Sequence, residues 1–208
     1  GRWPPGRWVC RNEWQEKACA RQIERRNPMK TLETERLTLT MFTIDDAEEL
    51  YDYAKNPHVG PPAGWEPHKS VEYSRQVIEE LLIPTEAWAV RVKGEEKVVG
   101  IIALEPDRLR PDANSRELGY NLAEDHWGRG YMTEAAREVL RFGFCELGLD
   151  QIGICTSRVN ARSQRIIEKC GFTYEGTLRR TYKIYDGTLR DSMIFSMLKE
   201  EWEDLEHC

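Results

Sequence analysis

The order of strand-like and helix-like segments constrains the fold of this chain more than any other sequence feature. Segments that alternate polar and apolar residues predict strands, and segments with apolar residues every three or four positions predict helices. From Met29 onward the segments follow the order β-α-α-β-β-β-α-β-α-β-β. Because this is not the strict alternation of a doubly wound fold, it predicts an α+β protein with one mixed sheet between helices.

Local signals set the bounds of these predicted elements. Asn56-Pro57, Pro84 and Gly171 end helices, and Asp186-Gly187 predicts a tight hairpin turn between the last two strands. The Pro/Gly-rich segment 57–70 is predicted to be a loop. The predicted helices cover 45–56, 70–82, 132–147 and 161–170, and the predicted strands cover 36–42, 87–92, 97–105, 115–124, 151–159, 173–185 and 188–198.

Residues 1–28 differ from the rest of the chain in composition and charge. They hold seven Lys/Arg and three Asp/Glu, a balance of +4, whereas the remainder holds 23 and 33, a balance of −10. We expect residues 1–28 to be a poorly ordered leader or extension, with a functional basic arm as the less favoured alternative. Residues 29–208 are expected to form a single domain.

Charge and cysteine content exclude several classes of partner. The net charge of −6 disfavours nucleic acid. There is no apolar run of about 18 residues, so no membrane partner is expected. The six cysteines form no CxxC pair and histidine is scarce, so no metal is expected. Scattered single cysteines are typical of reduced thiols, which indicates a cytoplasmic protein.

The segment Leu118–Ala136 carries the most chemical information. A predicted strand runs into a turn that contains Gly128 and Gly130, and a helix begins at once. The first N–H groups of a helix have no internal partner, and with the helix dipole they form an anion site suited to a pyrophosphate. The two glycines taken alone favour the alternative, an ordinary strand–helix turn.

Three segments together resemble one family of enzymes. WGRGYMTEA, VNARSQRIIEKCGFTYEGTLRRTY and DGTLRDSMIFSML, in this order and spacing, resemble the GNAT superfamily of N-acetyltransferases and within it the Rim-type, ribosomal-protein N-acetyltransferase-like branch. The resemblance covers about residues 32–199. It implies a central mixed, mostly antiparallel, splayed sheet flanked by helices. It also implies acetyl-CoA as cosubstrate, no metal, and a monomer or homodimer.

The resemblance further implies where acetyl-CoA binds. Backbone amides of the glycine turn and helix start would hold the pyrophosphate, and backbone groups of the preceding strand would bind the pantetheine arm and acetyl carbonyl. Trp127 and Met132 depart from the general superfamily pattern, which has Gln or Arg and a small residue there. The implied cofactor-binding residues are Tyr120, Asn121, Leu122, Gly128, Arg129, Gly130, Tyr131, Met132, Thr133, Asn160 and Ser163.

Two residues are candidates for the chemistry. Ile167 stands where many members of the superfamily carry a tyrosine acid, and Ser163 is the candidate substitute. Glu117 is the candidate base, acting directly or through water. The non-catalytic alternatives are a helix-capping role for Ser163 and a solvated strand position for Glu117. The expected reaction is direct attack of a primary amine on acetyl-CoA; the alternative is a non-catalytic protein that binds or senses acyl-CoA.

The acceptor amine is not fixed by the sequence. A protein N-terminus and a small amine are both open, and the loop 57–70 is expected to form the acceptor-side wall. For each side chain of that region, packing or surface exposure is the competing explanation. The residues considered for acceptor binding or proton transfer are His58, Trp65, Glu66, His68, Glu105, Glu117, Tyr182 and Tyr185.

Overall fold

One sheet of eight strands organises the protein. The computed structural model describes residues 30–95 and 97–206, so the segment 1–28 lies outside the described residues. The strand order is β1-β2-β3-β4-β5-β6-β8-β7, and every neighbouring pair is antiparallel except β5 and β6. This confirms the predicted mixed, mostly antiparallel sheet. The strands are β1 (Leu32–Glu33), β2 (Leu37–Met41), β3 (Trp88–Val92), β4 (Val98–Pro106), β5 (Ser115–Leu122), β6 (Gln151–Thr156), β7 (Thr173–Lys183) and β8 (Leu189–Leu198).

Helices cover both faces of the sheet. The hydroxyl of Tyr120 on β5 bonds to Ser163, whereas its neighbour Asn121 bonds to Tyr53. Since successive side chains on a strand point to opposite faces, the helices carrying Ser163 and Tyr53 lie on opposite sides. The helices are α1 (Ala47–Ala54), α2 (Gly60–Ala63), α3 (Val71–Val77), α4 (Tyr131–Arg141), α5 (Ala161–Cys170) and α6 (Lys199–Glu206).

The core lies where β3 and β4 pass between the two helical layers. The first seven residues of β4 and all of β3 except Arg91 are buried. Trp88 is fully buried and meets Phe142 edge-on, with ring centroids 5.5 Å apart. A strand covered on both faces is expected to be continuously apolar, as β4 is.

The structure differs from the sequence prediction in several places. The predicted loop 57–70 contains the helical turn α2, because Pro61 and Pro62 occupy first-turn positions that need no N–H partner. Strand β1 and helix α6 were not predicted. The helix predicted over 132–147 is regular only to Arg141 and continues as a π-helical turn to Glu146.

The described cysteines are not all reduced thiols. Cys155 and Cys170 are free, whereas Cys145 is disulfide-bonded, so the expectation of scattered reduced thiols is wrong for Cys145. Within the described ranges, no helix is long and apolar enough to cross a membrane. In the described ranges, no three or more His, Cys, Asp or Glu side chains form a group that could hold a metal ion.

Candidate active site

The sheet opens between β5 and β6. Strand β5 pairs with β4 as far as Leu122, but it pairs with β6 only over Ser115–Glu117. Beyond that point β6 continues to Thr156, paired with β8 on its other side. The two parallel strands therefore separate directly after Glu117, as the resemblance implied. Backbone groups on the open edge of β5 become available to another molecule.

A glycine turn leads from β5 into helix α4. Gly128 and Gly130 have φ values of 76° and 82°, in the left-handed region that favours glycine. Gly130 is the N-cap of α4, and among the described residues no side chain caps this helix. The first amides of α4 are thus left for an external partner, and the helix dipole makes that partner an anion.

Contacts from the start of the sheet hold the glycine turn in place. Arg36 donates to the carbonyl oxygen of Arg129 at 3.0 Å and to the carboxylate of Glu134 at 2.7 Å. The hydroxyl of Thr34 donates to the same carboxylate at 2.6 Å. Glu134 lies in the first turn of α4, so the segment between β1 and β2 is tied both to the glycine turn and to the helix start.

Trp127 forms a platform beside the turn. Its indole N–H donates to the carbonyl oxygen of Leu122 at 2.8 Å, and the guanidinium of Arg162 lies 3.7 Å above its ring centroid. Arg165 and Lys169 follow on the same helix and line the same surface. Trp127, which stands where the general superfamily pattern has Gln or Arg, therefore provides a ring on which Arg162 stacks. This contact fixes the position of one of the three cations, Arg162, Arg165 and Lys169.

Two cavities meet where the strands separate. We call the cavity along the glycine turn, α4 and α5 the groove. We call the cavity between β4, β5, β6 and Tyr182 the cleft. An atom bound in the groove can approach one bound in the cleft only at their common boundary. The residues that line both cavities are Pro62, Ala63, Tyr120, Asn121, Asn160 and Ser163.

The structure brings the sequence-predicted cofactor residues together along the groove. All of them line it except Arg129, whose carbonyl oxygen accepts from Arg36. The side chain of Met132 turns into the core and is 3% exposed, so it leaves the helix start accessible. Asn160 caps α5 by accepting from the N–H of Ser163 at 3.2 Å.

A phenol that the sequence reasoning did not single out as an acid reaches the boundary. The hydroxyl of Tyr120 lies 3.1 Å from Oγ of Ser163. Burial raises the pKa of Tyr120, so this phenol stays protonated at neutral pH. Ile167, at the position where many superfamily members carry an acid, is buried in the core. The resemblance named Tyr120 only as a cofactor-binding residue, and its contact with α5 is seen in the structure alone.

Glu117 lies in the wall of the cleft in a tight ion pair. Its two carboxylate oxygens accept from Arg108 at 2.9 and 2.7 Å, and its side chain is 13% exposed. Burial opposes the charge of Arg108, but its interactions with Glu117 and Cys155 together outweigh burial, and the pKa of Arg108 is raised. Glu105, opposite Glu117 in the register, and Asp191 line the same cleft. Three carboxylates and one guanidinium make this cavity acidic.

Comparison with known proteins decides the family. The profile of the Acetyltransferase (GNAT) domain matches residues 36–173. The uncharacterized N-acetyltransferase p20 of Bacillus licheniformis is 32% identical over 179 residues, which cover 84% of this chain and 99% of p20. The chain belongs to the GNAT acetyltransferase family. The recognition made on the three sequence segments is thus confirmed.

Solved GNAT structures share the fold. A GNAT-family acetyltransferase from Bacillus anthracis superposes with a TM-score of 0.74 at 24% identity, covering 83% of this chain and all of that one. The ribosomal-protein-S5-alanine acetyltransferase from Vibrio fischeri gives a TM-score of 0.68 at 23% identity and covers 84% and 99%. The open, mostly antiparallel sheet is therefore the GNAT sheet.

His68 and Trp65 of the 57–70 segment do not have the surroundings that the sequence suggested. His68 is buried, its Nδ1 lies 2.7 Å from Oγ of Ser74, and burial lowers its pKa to about 4, so it does not titrate near neutrality. Trp65 packs edge-on against His68 and lines neither cavity. His58 lies at the mouth of the groove, paired with Glu124 at 2.9 Å.

Of the remaining acceptor-side candidates, some line the cleft and others do not. Tyr182 lines the cleft and donates to the carbonyl oxygen of Ala63 at 2.9 Å, so it fixes the loop as it forms the wall. Tyr185 and Glu66 do not line the cleft, and Glu66 pairs with Lys69 on the surface. The wall expected from the 57–70 segment is thus reduced to Pro62 and Ala63.

Proposed function

We propose that this GNAT protein transfers the acetyl group of acetyl-CoA to a primary amine by direct attack. The observation that carries the proposal is the pair of cavities that meet where β5 and β6 separate. One cavity is cationic with a helix N-terminus, and the other is acidic. An anionic cosubstrate and a cationic acceptor would therefore enter from opposite faces and meet at the boundary.

The groove suits coenzyme A along its length. Amides from Gly128 to Thr133 would hold the pyrophosphate, and Arg162, Arg165 and Lys169 add positive charge beside it. The pantetheine arm would pass the open edge of β5 at residues 118–122 and bond to its backbone, as a strand does. The thioester would then lie at the boundary, beside Ser163.

The cleft suits an acceptor that arrives as an ammonium ion. Glu105, Glu117 and Asp191 outnumber Arg108, so the cleft attracts positive charge before the amine loses its proton. A protein N-terminus and a small amine both meet this requirement. The V. fischeri neighbour is named for a ribosomal-protein alanine, which keeps the peptide N-terminus among the acceptors to be tested.

Glu117 in the cleft and two hydroxyls at the boundary supply the two proton transfers. Glu117 takes the proton of the amine, directly or through water, and the nitrogen lone pair then forms the C–N bond. The C–S bond breaks and its electron pair leaves on sulfur. The hydrogen-bonded hydroxyls of Ser163 and Tyr120 then donate a proton to the thiolate. No covalent enzyme intermediate is needed.

Calorimetric titration with acetyl-CoA tests the cosubstrate and its site. Gly130→Glu would place a carboxylate at the helix start, and we expect affinity to fall at least about 100-fold. Gly94→Glu is the matched control, because Gly94 has a φ of 88° and lies in a turn outside both cavities. Equal affinity in both variants would contradict the proposed groove.

Thiol release separates catalysis from mere binding. Acetyl-CoA is mixed with the parent protein and a panel of peptides with free N-termini and small amines. Release of coenzyme A that depends on the amine, with acetylated amine as the second product, supports the transferase. Tight acetyl-CoA binding without release for any amine would replace it with the alternative, a protein that binds or senses acyl-CoA.

A further inference from the structure

One amide at the boundary of the two cavities has an unused donor. Nδ2 of Asn121 has no hydrogen-bond partner within the described part of the chain, although the residue is only 7% exposed. Its Oδ1 accepts from the hydroxyl of Tyr53 at 3.0 Å, and both groups are buried. Buried N–H groups are rarely left unpaired, so a donor of this kind in a cavity wall indicates a missing ligand atom.

Tyr53 fixes the direction of that donor. Burial raises the pKa of Tyr53, so its hydroxyl remains protonated and donates. Because it donates to Oδ1, the amide of Asn121 is turned with Nδ2 facing away from α1. Asn121 is one of the residues that line both the groove and the cleft. The free N–H therefore belongs to the place where the two substrates would meet.

The chemistry of the boundary identifies the atom that accepts from Nδ2. The new bond joins a carbon brought by the groove to a nitrogen brought by the cleft, so the reacting carbon lies where the cavities meet. The nitrogen uses its lone pair in the attack, and sulfur is a weak acceptor. The carbonyl oxygen is the strong acceptor present with every amine, and it gains negative charge during the reaction.

We propose that the side-chain amide of Asn121 donates a hydrogen bond to the carbonyl oxygen of the acetyl group, with Tyr53 as its positioning residue. This inference rests on the proposed function and adds a side chain to the backbone groups that the resemblance implied. As the C–N bond forms, the π electron pair of the carbonyl moves onto oxygen, where Nδ2–H stabilises it. The pair returns when the C–S bond breaks and its electrons leave on sulfur.

Asn121→Leu tests the contact, because leucine has similar size and no donor. We expect kcat to fall on the order of 100-fold, by the same factor for two unrelated amines. In calorimetry the variant loses affinity for acetyl-CoA but keeps its affinity for CoA, which lacks the carbonyl. Tyr53→Phe gives a smaller loss of kcat and no further loss when it is added to Asn121→Leu.

Ser74→Ala is the matched control for the loss of a buried hydrogen bond. The change breaks the contact between Ser74 and His68. Because Ser74 lines neither cavity, we expect kcat to stay unchanged. An unchanged kcat in Asn121→Leu, a loss that differs between amines, or equal losses of acetyl-CoA and CoA affinity each overturn the inference. If the parent acetylates no amine, the proposed function fails, and the comparison of acetyl-CoA with CoA binding still decides the contact of Asn121.

Discussion

The groove and the cleft share a boundary but are built from different kinds of groups. The groove consists of the open edge of β5, the glycine turn, the start of α4 and one face of α5, so it would offer a ligand backbone groups from a few contiguous segments. The cleft consists of charged side chains on β4, β5 and β8 and the segment after β4. A cavity made of backbone groups presents one chemistry, whereas a cavity made of side chains can be changed residue by residue.

This difference assigns separate tasks to the two cavities. We propose that the groove recognises the cosubstrate and that the cleft selects and deprotonates the acceptor. Substitutions in the groove away from the shared boundary should therefore act on acetyl-CoA affinity alone. Substitutions in the cleft should act on turnover or on the KM for the amine.

The largest effect is expected from Glu117→Gln in the cleft. Loss of the base should lower kcat about 100-fold while acetyl-CoA affinity stays within about twofold of the parent. Arg108→Gln is the control, since it breaks the same ion pair but keeps the carboxylate. Steady-state kinetics across pH distinguishes the two. Equal losses in both variants would assign Glu117 to holding the cleft together instead of proton transfer.

A smaller effect, in the groove, is expected from Glu134→Ala. The change removes the contacts that hold Arg36 and Thr34 against the glycine turn. We expect the Kd for acetyl-CoA to rise about tenfold, the equivalent of one charged hydrogen bond, with the KM for the amine unchanged. Glu138→Ala, which breaks a contact with Arg141 one turn further along α4, should leave both constants unchanged. A rise in the KM for the amine would contradict the proposal that the groove and the cleft have separate tasks.

Removing one carboxylate from the cleft should have a modest effect. Glu105→Gln is expected to raise the KM for a cationic amine about fivefold, because one screened charge contributes about 1 kcal/mol. The increase should shrink as salt is added. Glu66→Gln, on the surface beside Lys69, is the control. A KM that is indifferent to Glu105 would show that shape and not charge selects the acceptor.

The last effect concerns folding stability beneath the acceptor-side loop, and no change in turnover at neutral pH is expected from it. His68 has a folded pKa of about 4, below the ordinary value of 6.5, because it is buried. Unfolding therefore takes up a proton as pH falls from 6.5 to 4, and folding stability is lost over that window by up to roughly 3 kcal/mol. His68→Gln should flatten this dependence in urea unfolding at pH 7 and pH 4.5. His58→Gln, at an exposed histidine, should keep it.

The sequence predicted the groove far better than the cleft, and the physical reason lies in distance along the chain. The glycine turn and the start of α4 are contiguous, so backbone rules and a family resemblance were enough to place Gly128–Thr133. The cleft depends on partners that only the fold brings together. Glu117 was recognised as a candidate, but nothing in the sequence showed that Arg108 occupies both of its oxygens.

Burial was the other property that the sequence did not reveal. His68 looked like a titrating group, yet the packing of the 57–70 segment made it a neutral core residue. Strand β1 has two residues, too few for a periodic signal. Helix α6 is mostly charged and is held by a single buried side chain, Trp202, which stacks on Phe144. Tertiary packing decided each of these cases.

Hydrogen exchange with and without acetyl-CoA tests the central claim most directly, because it reports on the backbone amides that the account assigns to the cosubstrate. We predict slower exchange at 118–122 on the open edge of β5 and at 128–134 in the glycine turn and helix start. Exchange over 188–198, which contains β8 and lines no part of the groove, should not change. Unchanged exchange at 128–134, or protection confined to other segments, would contradict binding of acetyl-CoA where β5 and β6 separate.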